Sequence, residues 1–247
     1  MQIRRFYQPG YEPGDATIAL DESESQHALR VLRLRPGDQL QVLNGRGAIA
    51  QCELLPDPAS ARRPRNAVAR VLAVQCLPRP ERTVTLCAAI PRGKNFDLVL
   101  KAATELGVAA IQPMVCRHGV SRPEAGADSP GEAAVTAAVK QSMNPWRPQL
   151  MPPCAFNDAV AAYGGLPGIL GASPAAEATA AMRVDAQFAG AVQCLWIGPE
   201  GGFAPEEERL LLDCGCRPVT LGNCILRVET AVPAMLGFLY ARRGTAC

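Results

Sequence analysis

Ile197-Gly198-Pro199-Glu200-Gly201-Gly202-Phe203 leaves the apolar run Val192–Ile197 through three glycines and one proline, with a single carboxylate among them. Ala204-Pro205-Glu206-Glu207-Glu208 follows. This order reads as buried strand, tight loop, helix. Pro205 suits a first helical turn, where its missing N–H is not needed, and the acidic run complements the positive end of the helix dipole. A second glycine-bearing exit, Leu221-Gly222-Asn223-Cys224-Ile225-Leu226-Arg227, follows the strand-like Arg217–Gly222. In an open parallel sheet, ligands sit beyond the carboxyl ends of the strands. Glycine lets a backbone approach a ligand closely, and Pro199 stiffens one step of the turn. Two such loops side by side form a pocket lined by backbone N–H and C=O groups. A flat purine, whose edge needs donors and acceptors, suits it.

A phosphate cradle is the competing reading. It wants GxxxxGK[ST], or GxGxxG before a helix. Here no lysine is present, and Glu200 would repel a phosphate. A neutral or cationic nucleoside fits better, and S-adenosylmethionine, with its sulfonium, meets that description. A tight strand-to-helix turn with no ligand is the alternative that the loop alone leaves open.

Outward from the loop, the rhythm is strand, helix, strand. Thr83–Ile90 reads as a buried strand. Asn95 is placed to cap a helix with Phe96, Val99, Leu100, Ala103 and Leu106 on its apolar face. Gly107 ends that helix and Ala109–Val115 returns as a strand. A helix is expected over Glu132–Met143, a short strand at Gly168–Leu170, and a last helix over Glu229–Arg242. Alternation of this kind implies a mostly parallel sheet in an α/β domain. Residues 16–75 differ. Gln39–Leu43 and Ala48–Leu54 alternate around the hairpin dipeptide Asn44-Gly45. Ala67–Val74 is a further strand, and a short helix over Ser25–Leu32 has Ser23 or Ser25 as its cap. A small β-barrel packs such strands. The Pro-rich Cys76–Arg82 is the linker, so the domains are expected at 1–76 and 77–247.

The 247 residues are 48% apolar and 19% charged, a globular mix. No apolar run approaches the ~18 residues of a membrane span, and no export signal is visible, so a cytoplasmic location is expected. The ten cysteines form no CxxC pair and there are two histidines. A structural metal is not expected, and the cysteines read as small buried hydrophobes. Residues 1–80 carry 11 basic and 8 acidic side chains, a balance of +3, whereas 151–247 carry 6 and 9, a balance of −3. Arginine outnumbers lysine 22 to 3. A GC-rich genome suffices to explain that bias; phosphate contact is the sharper reading.

"IGPEGGF" with its acidic followers, then Leu221–Ala231 ("LGNCILRVETA"), resembles the SPOUT, or trefoil-knot, methyltransferases. Within them the chain is similar to the small-subunit ribosomal RNA uridine-N3 methyltransferases. Lys101–Met114 resembles that family's helix and strand after the first SPOUT strand. Arg4–Pro9 and His27–Gly47 are similar to its PUA-like N-terminal barrel. The resemblance implies an RNA-docking barrel, an α/β-knot domain, S-adenosylmethionine as cofactor, ribosomal RNA of the small subunit as substrate, and a homodimer.

On that resemblance, Gly198, Glu200, Gly201, Gly202, Leu221, Gly222, Ile225 and Leu226 are the expected cofactor-binding residues. Arg227 and Glu200 are the expected catalytic residues. Uridine N3 must lose a proton and meet the methyl in line, so a cation for the negative base and a proton acceptor both help. Arg4, Arg5, Arg30, Arg33 and Arg35 are the expected RNA contacts. His27 reads first as a packed or capping residue, with stacking on a base as the other reading, and His118, in a basic loop with Arg117, is open to a place near the substrate or to a plain loop role. Two departures stand out. Cys224 occupies a position where the family commonly has arginine. Lys140–Arg147 replaces its glutamate-glutamine and glycine-arginine pattern, and Trp146 beside Arg147 is open to stacking on a base or packing at an interface. Action on another RNA position, base or ribose 2′-hydroxyl, and RNA binding without catalysis are the competing functions.

Overall fold

The computed structural model describes residues 4–56, 67–91, 95–119, 130–172 and 190–243. The chain divides into two units, one of residues 1–79 with 136–147, the other of 80–135 with 148–247.

The first unit is a curled five-stranded sheet. Its strands are β1 (Arg4–Tyr7), β2 (Thr17–Ala19), β3 (Gln39–Leu43), β4 (Ala48–Leu54) and β5 (Val68–Cys76). Their order is β1-β3-β4-β5-β2, with β1–β3 parallel and the other pairs antiparallel. Alternation in β4 puts Ala50, Cys52 and Leu54 into the core with Phe6, Leu40 and Val42. A bulge between Gln51 and Cys52 bends the ladder. Asn44-Gly45 makes the expected tight connection, with Asn44 Oδ1 accepting from the amides of Arg46 and Ala48 at 2.8 and 3.0 Å.

The helix expected at Ser25–Leu32 is different in kind. A single turn, α1 (Glu22–Gln26), is capped by Asp21, whose carboxylate accepts from Glu24 N. A π-helical turn over His27–Val31 continues it. Ser25 is buried and its hydroxyl instead bridges Leu20 O and Ala67 N, so the earlier Asp21 takes the cap. Arg33, at φ 54, ends the segment.

Residues 136–147 belong with this first unit. Val139 packs on Leu43 and Ile49. Lys140 Nζ donates to Glu24 Oε1 at 2.5 Å, with Glu24 buried. Gly47 N donates to Pro145 O at 2.8 Å, and Trp146 lies flat against Gly47, where a Cβ would meet its ring at 2.4 Å. Trp146 Nε1 donates to Pro78 O at 3.1 Å, and the Arg79 guanidinium lies 6.0 Å from the ring centroid. Trp146 and Arg147 thus clasp the hairpin: Arg147 N donates to Gly45 O, and its guanidinium stands over Tyr7.

The second unit is a seven-stranded sheet in which every pairing is parallel. It runs β6 (Thr85–Ala89), α2 (Phe96–Glu105), β7 (Ala110–Val115), the first turns of α3 (Pro130–Ser142), whose residues from 136 on belong with the first unit, β8 (Gln149–Leu150), β9 (Cys154–Ala155) and α4 (Phe156–Tyr163). Then come β10 (Gly168–Gly171), β11 (Cys194–Ile197), α5 (Pro205–Asp213), β12 (Arg217–Val219) and α6 (Val228–Arg243). The order is β12-β10-β11-β6-β7-β8, with β9 also on β7. The apolar strands of the sequence are explained by two cores. Leu86, Ala88, Leu195 and Ile197 point to the face covered by α2 and α6. Cys87, Ala89, Cys194 and Trp196 point to the face covered by α4 and α5. A strand buried on both faces has no polar side to show, hence the continuous runs.

Asn95 precedes α2 as expected, but its side chain makes no cap bond; it donates to Glu229 instead. Strands β8 and β9 and helix α4 carry no periodic signal long enough to read in the sequence.

Candidate functional site

Strands β12, β10 and β11 are neighbours, and their carboxyl ends open on one cavity of about 160 Å³. Gly171 and Ala172 at the end of β10 form one wall. The loop after β11, residues 198–202, forms the second, and Leu221, Cys224, Ile225 and Leu226 after β12 form the third. Val228, Ala231 and Met235 of α6 close it from below.

The glycine loop is fixed locally. Gly202 N donates to Pro199 O at 2.8 Å, closing a turn, and Gly202 sits at φ +74 in the left-handed region that glycine adopts without strain. A Cβ on Gly198 would lie 3.1 Å from the Phe203 amide and ring. Phe203 is itself packed on Phe156, ring centroids 5.7 Å apart. The loop is therefore seated on the α4 face of the sheet.

The walls are mostly apolar side chains and backbone, with Glu200, Thr220 and Cys224 as the polar ones, and no lysine or arginine lines them among the described residues. Ile225 is 73% exposed although apolar and stands on the cavity wall. Glu200 is on the loop, exposed to solvent. This donor set does not match a polyphosphate, which wants cations. It matches a heterocycle held by backbone groups, with a positive centre near one carboxylate.

Of the residues expected to bind cofactor, Gly198, Glu200, Gly201, Gly202, Leu221, Ile225 and Leu226 line this cavity. Gly222, at φ +71, shapes the third wall's turn without lining it. Arg227 stands between Leu226 and Val228, exposed, and does not line the cavity either. Its carbonyl accepts from Thr230 N and Ala231 N, starting α6. Its guanidinium has no partner among the described residues. Beside it, Glu229 turns Oε1 to Asn95 Nδ2 at 2.8 Å, while its Oε2 is buried without a hydrogen bond.

The arginines of the first unit are placed as follows. Arg4 is exposed on the edge strand β1. Arg5 is half-buried and donates to Gln41 Oε1 at 3.1 Å and Gln141 O at 3.5 Å. Arg30, Arg33 and Arg35 are exposed around Val31, which is itself 69% exposed. His27 packs edge-on against Phe6, with centroids 5.9 Å apart, the structural role the sequence favoured.

Sequence reasoning missed the β10 end, because Gly168–Leu170 was read as a strand with no exit signal. At the turn after β7, where the sequence pointed to Arg117 and His118, it missed the contacts to the glycine loop and its helix. Glu207 Oε1 accepts from Arg117 N at 2.8 Å, and Glu207 Oε2 from Ala204 N at 2.9 Å. His118 Nδ1 lies 3.3 Å from Gly202 O. The Glu206 carboxyl is held below its usual range by its own backbone N–H and by Arg117, 3.1 Å away. The signal was present: an acid three residues after Ala204 is the spacing at which a side chain reaches back to a helix's capping amide. Behind the loop the thiols are inert, burial pushing Cys116 and Cys216 up to about 12. No group of three or more metal-ligating residues occurs among the described residues.

Comparisons with known proteins agree with this geometry. The RNA methyltransferase domain family matches residues 78–240, and the RNA methyltransferase PUA domain matches residues 20–57. Ribosomal RNA small subunit methyltransferase E of Synechocystis is 30% identical over 236 residues, covering 92% of this chain and 74% of that protein. The protein of the same name from Mycobacterium tuberculosis is 29% identical over 242 residues, covering 94% and 89%. The crystal structure of ribosomal RNA small subunit methyltransferase E from Neisseria gonorrhoeae, bound to S-adenosyl methionine, superposes with a TM-score of 0.83. It is 26% identical and covers 97% of this chain and 98% of its own. With a PUA-type unit, an all-parallel α/β unit of SPOUT type and matches along nearly its whole length, the chain belongs to the small-subunit ribosomal RNA methyltransferase E family of RNA methyltransferases.

Proposed function

We propose that this chain methylates N3 of a uridine in small-subunit ribosomal RNA, with S-adenosylmethionine as donor. One observation carries the reading. Three adjacent strand ends enclose a cavity with mostly apolar and backbone walls and, among the described residues, no cation, and an exposed Arg227, whose side chain has no partner among the described residues, follows the third wall directly. The relative from Neisseria gonorrhoeae that shares the fold was solved with S-adenosyl methionine bound.

Bound in the cavity, S-adenosylmethionine supplies an electrophilic methyl on a cationic sulfur. The protein's part is placement. Backbone groups of the two loops meet the purine edge, and Leu221, Ile225 and Leu226 exclude water from it. Arg227 stabilises the negative imide as N3 loses its proton, and Glu200 accepts a proton or holds a hydroxyl. N3 is hidden in a base pair, so the target is single-stranded or flipped. Residues 1–76, with exposed Arg4, Arg30, Arg33 and Arg35 and with Arg5, dock the RNA, and 77–247 carry the chemistry. The working form is a cytoplasmic homodimer.

The test is transfer of labelled methyl to small ribosomal subunits lacking the modification, followed by digestion and mass spectrometry of the nucleosides. N3-methyluridine supports the reading. Another methylated nucleoside moves the target. Cofactor binding without product points to a binding role, the second reading, which one feature favours: Cys224, unable to clamp an anion, stands on the cavity wall.

A further inference from the structure

The glycine loop does not stand alone. The turn that leaves β7, Cys116 to Gly119, closes on itself through Gly119 N donating to Cys116 O at 2.9 Å, and it lies against the loop from β11. Strand β6 separates the two parent strands in the sheet, so neither ladder holds the turn to the loop. Three contacts do. Glu207 accepts from Arg117 N at 2.8 Å with one oxygen and from Ala204 N at 2.9 Å with the other. His118 Nδ1 approaches Gly202 O at 3.3 Å. A carbonyl only accepts, so the ring nitrogen there carries the hydrogen. His118 also backs Gly201, whose Cβ would stand 3.3 Å from the His118 Cβ. The Arg117–Glu206 ion pair is exposed on both sides, at 66% and 70%, and contributes little.

We propose that Glu207 is a positioning residue for the cofactor wall: its carboxylate locks the β7 exit turn to the β11 loop, and through His118 holds Gly201–Gly202 in the shape the cavity requires. The proposal rests on the reading of the cavity as the S-adenosylmethionine site. The chemistry demands a carboxylate. Both partners are N–H donors, and each is met by its own oxygen of the one carboxylate. A glutamine offers one oxygen and turns an NH2 toward the other amide.

The experiment measures S-adenosylmethionine affinity by calorimetry for the full chain, Glu207→Gln, His118→Ala and the double variant. Each single variant is expected to weaken binding about tenfold, the worth of one hydrogen bond lost from the join. The double variant is expected to be hardly weaker than either single one, because both act through the same turn. Exchange of the Arg117 amide is expected to slow on adding the cofactor in the parent protein and not in Glu207→Gln. Unchanged affinity in Glu207→Gln overturns the proposal. So do losses that multiply to about a hundredfold in the double variant, which mark two independent effects. If Glu207→Gln melts too early to titrate, the Arg117 exchange in the parent protein decides: no slowing overturns the proposal. Failure of the parent protein to bind the cofactor is a different result and brings down the reading of the cavity itself.

Discussion

Asn95 and Glu229, 134 residues apart, are joined by a hydrogen bond of 2.8 Å from Nδ2 to Oε1. The bond ties the start of α2 to the start of α6, and it engages the carboxylate that otherwise stands nearest in sequence to Arg227. Arg227 is left facing solvent beside the cavity. Its replacement by alanine is therefore expected to lower kcat for methyl transfer by about a hundredfold or more, the scale of losing one charge-stabilising group. Cofactor affinity should stay within about twofold, since only the transition state uses the interaction. Calorimetry and single-turnover rates on the same preparation separate the two, and loss of cofactor binding would exclude the role.

Gly198 and Gly202 respond to substitution for different reasons. Nothing lies within 4 Å of a Cβ on Gly202, so Gly202→Ala meets only the left-handed backbone, a cost of about 1–2 kcal/mol. Gly198→Ala meets Phe203 at 3.1 Å and must shift the loop. Thermal melting should report mainly Gly202→Ala. Cofactor titration should report mainly Gly198→Ala.

Lys140 and Glu24 form a pair at 2.5 Å with side-chain exposures of 20% and 9%. Lys140→Met leaves Glu24 buried and unpaired, and a loss of about 3 kcal/mol is expected by urea denaturation. Adding Glu24→Gln should recover most of it. The exposed Arg70–Glu53 pair, broken as a control, should cost under about 1 kcal/mol.

Burial raises the thiols of Cys52, Cys116 and Cys216 from 9.0 to about 12. Above pH 9 these thiols ionise in the unfolded chain and stay protonated in the folded one. The folded state then binds more protons, so stability is full below pH 9 and falls as pH rises from 9 toward 12, by up to about 1.4 kcal/mol per pH unit for each thiol. Melting curves between pH 8 and 10.5 should show the fall, flattened in Cys52→Ala.

Cys76, Cys214 and Cys224 are exposed, and Cys224 lines the cavity. Iodoacetamide at neutral pH is expected to label these before the buried thiols, with S-adenosylmethionine slowing Cys224 alone. Peptide mass spectrometry reads the pattern, and equal labelling with and without cofactor would place the ligand elsewhere.

Much of this was legible because its cause is local. Gln39–Leu43 appears in the structure with the bounds read from its alternation, and Pro205 starts α5 as its missing N–H requires. The two glycine exits were found because a strand that must stop near a ligand announces itself in composition. What escaped depends on contacts far apart in sequence. Nothing near Trp146 says that it rests on Gly47, and nothing near Asn95 says that its partner is Glu229 rather than its own helix. The π-helical turn at His27–Val31, whose first residue packs on Phe6, has no signature in the propensities of those residues.

The membership of residues 136–147 in the first unit sets an order of events during synthesis. A ribosome that has emitted only the five strands has not yet emitted the segment that supplies Lys140 and Trp146, so the first unit is completed only once residue 147 is out. Every residue lining the cavity lies between Gly171 and Met235 and emerges later still. Translation thus finishes one unit before the cavity exists at all, and a nascent chain halted near residue 190, its last stretch still inside the ribosome, should be protease-resistant in its first unit yet unable to retain S-adenosylmethionine.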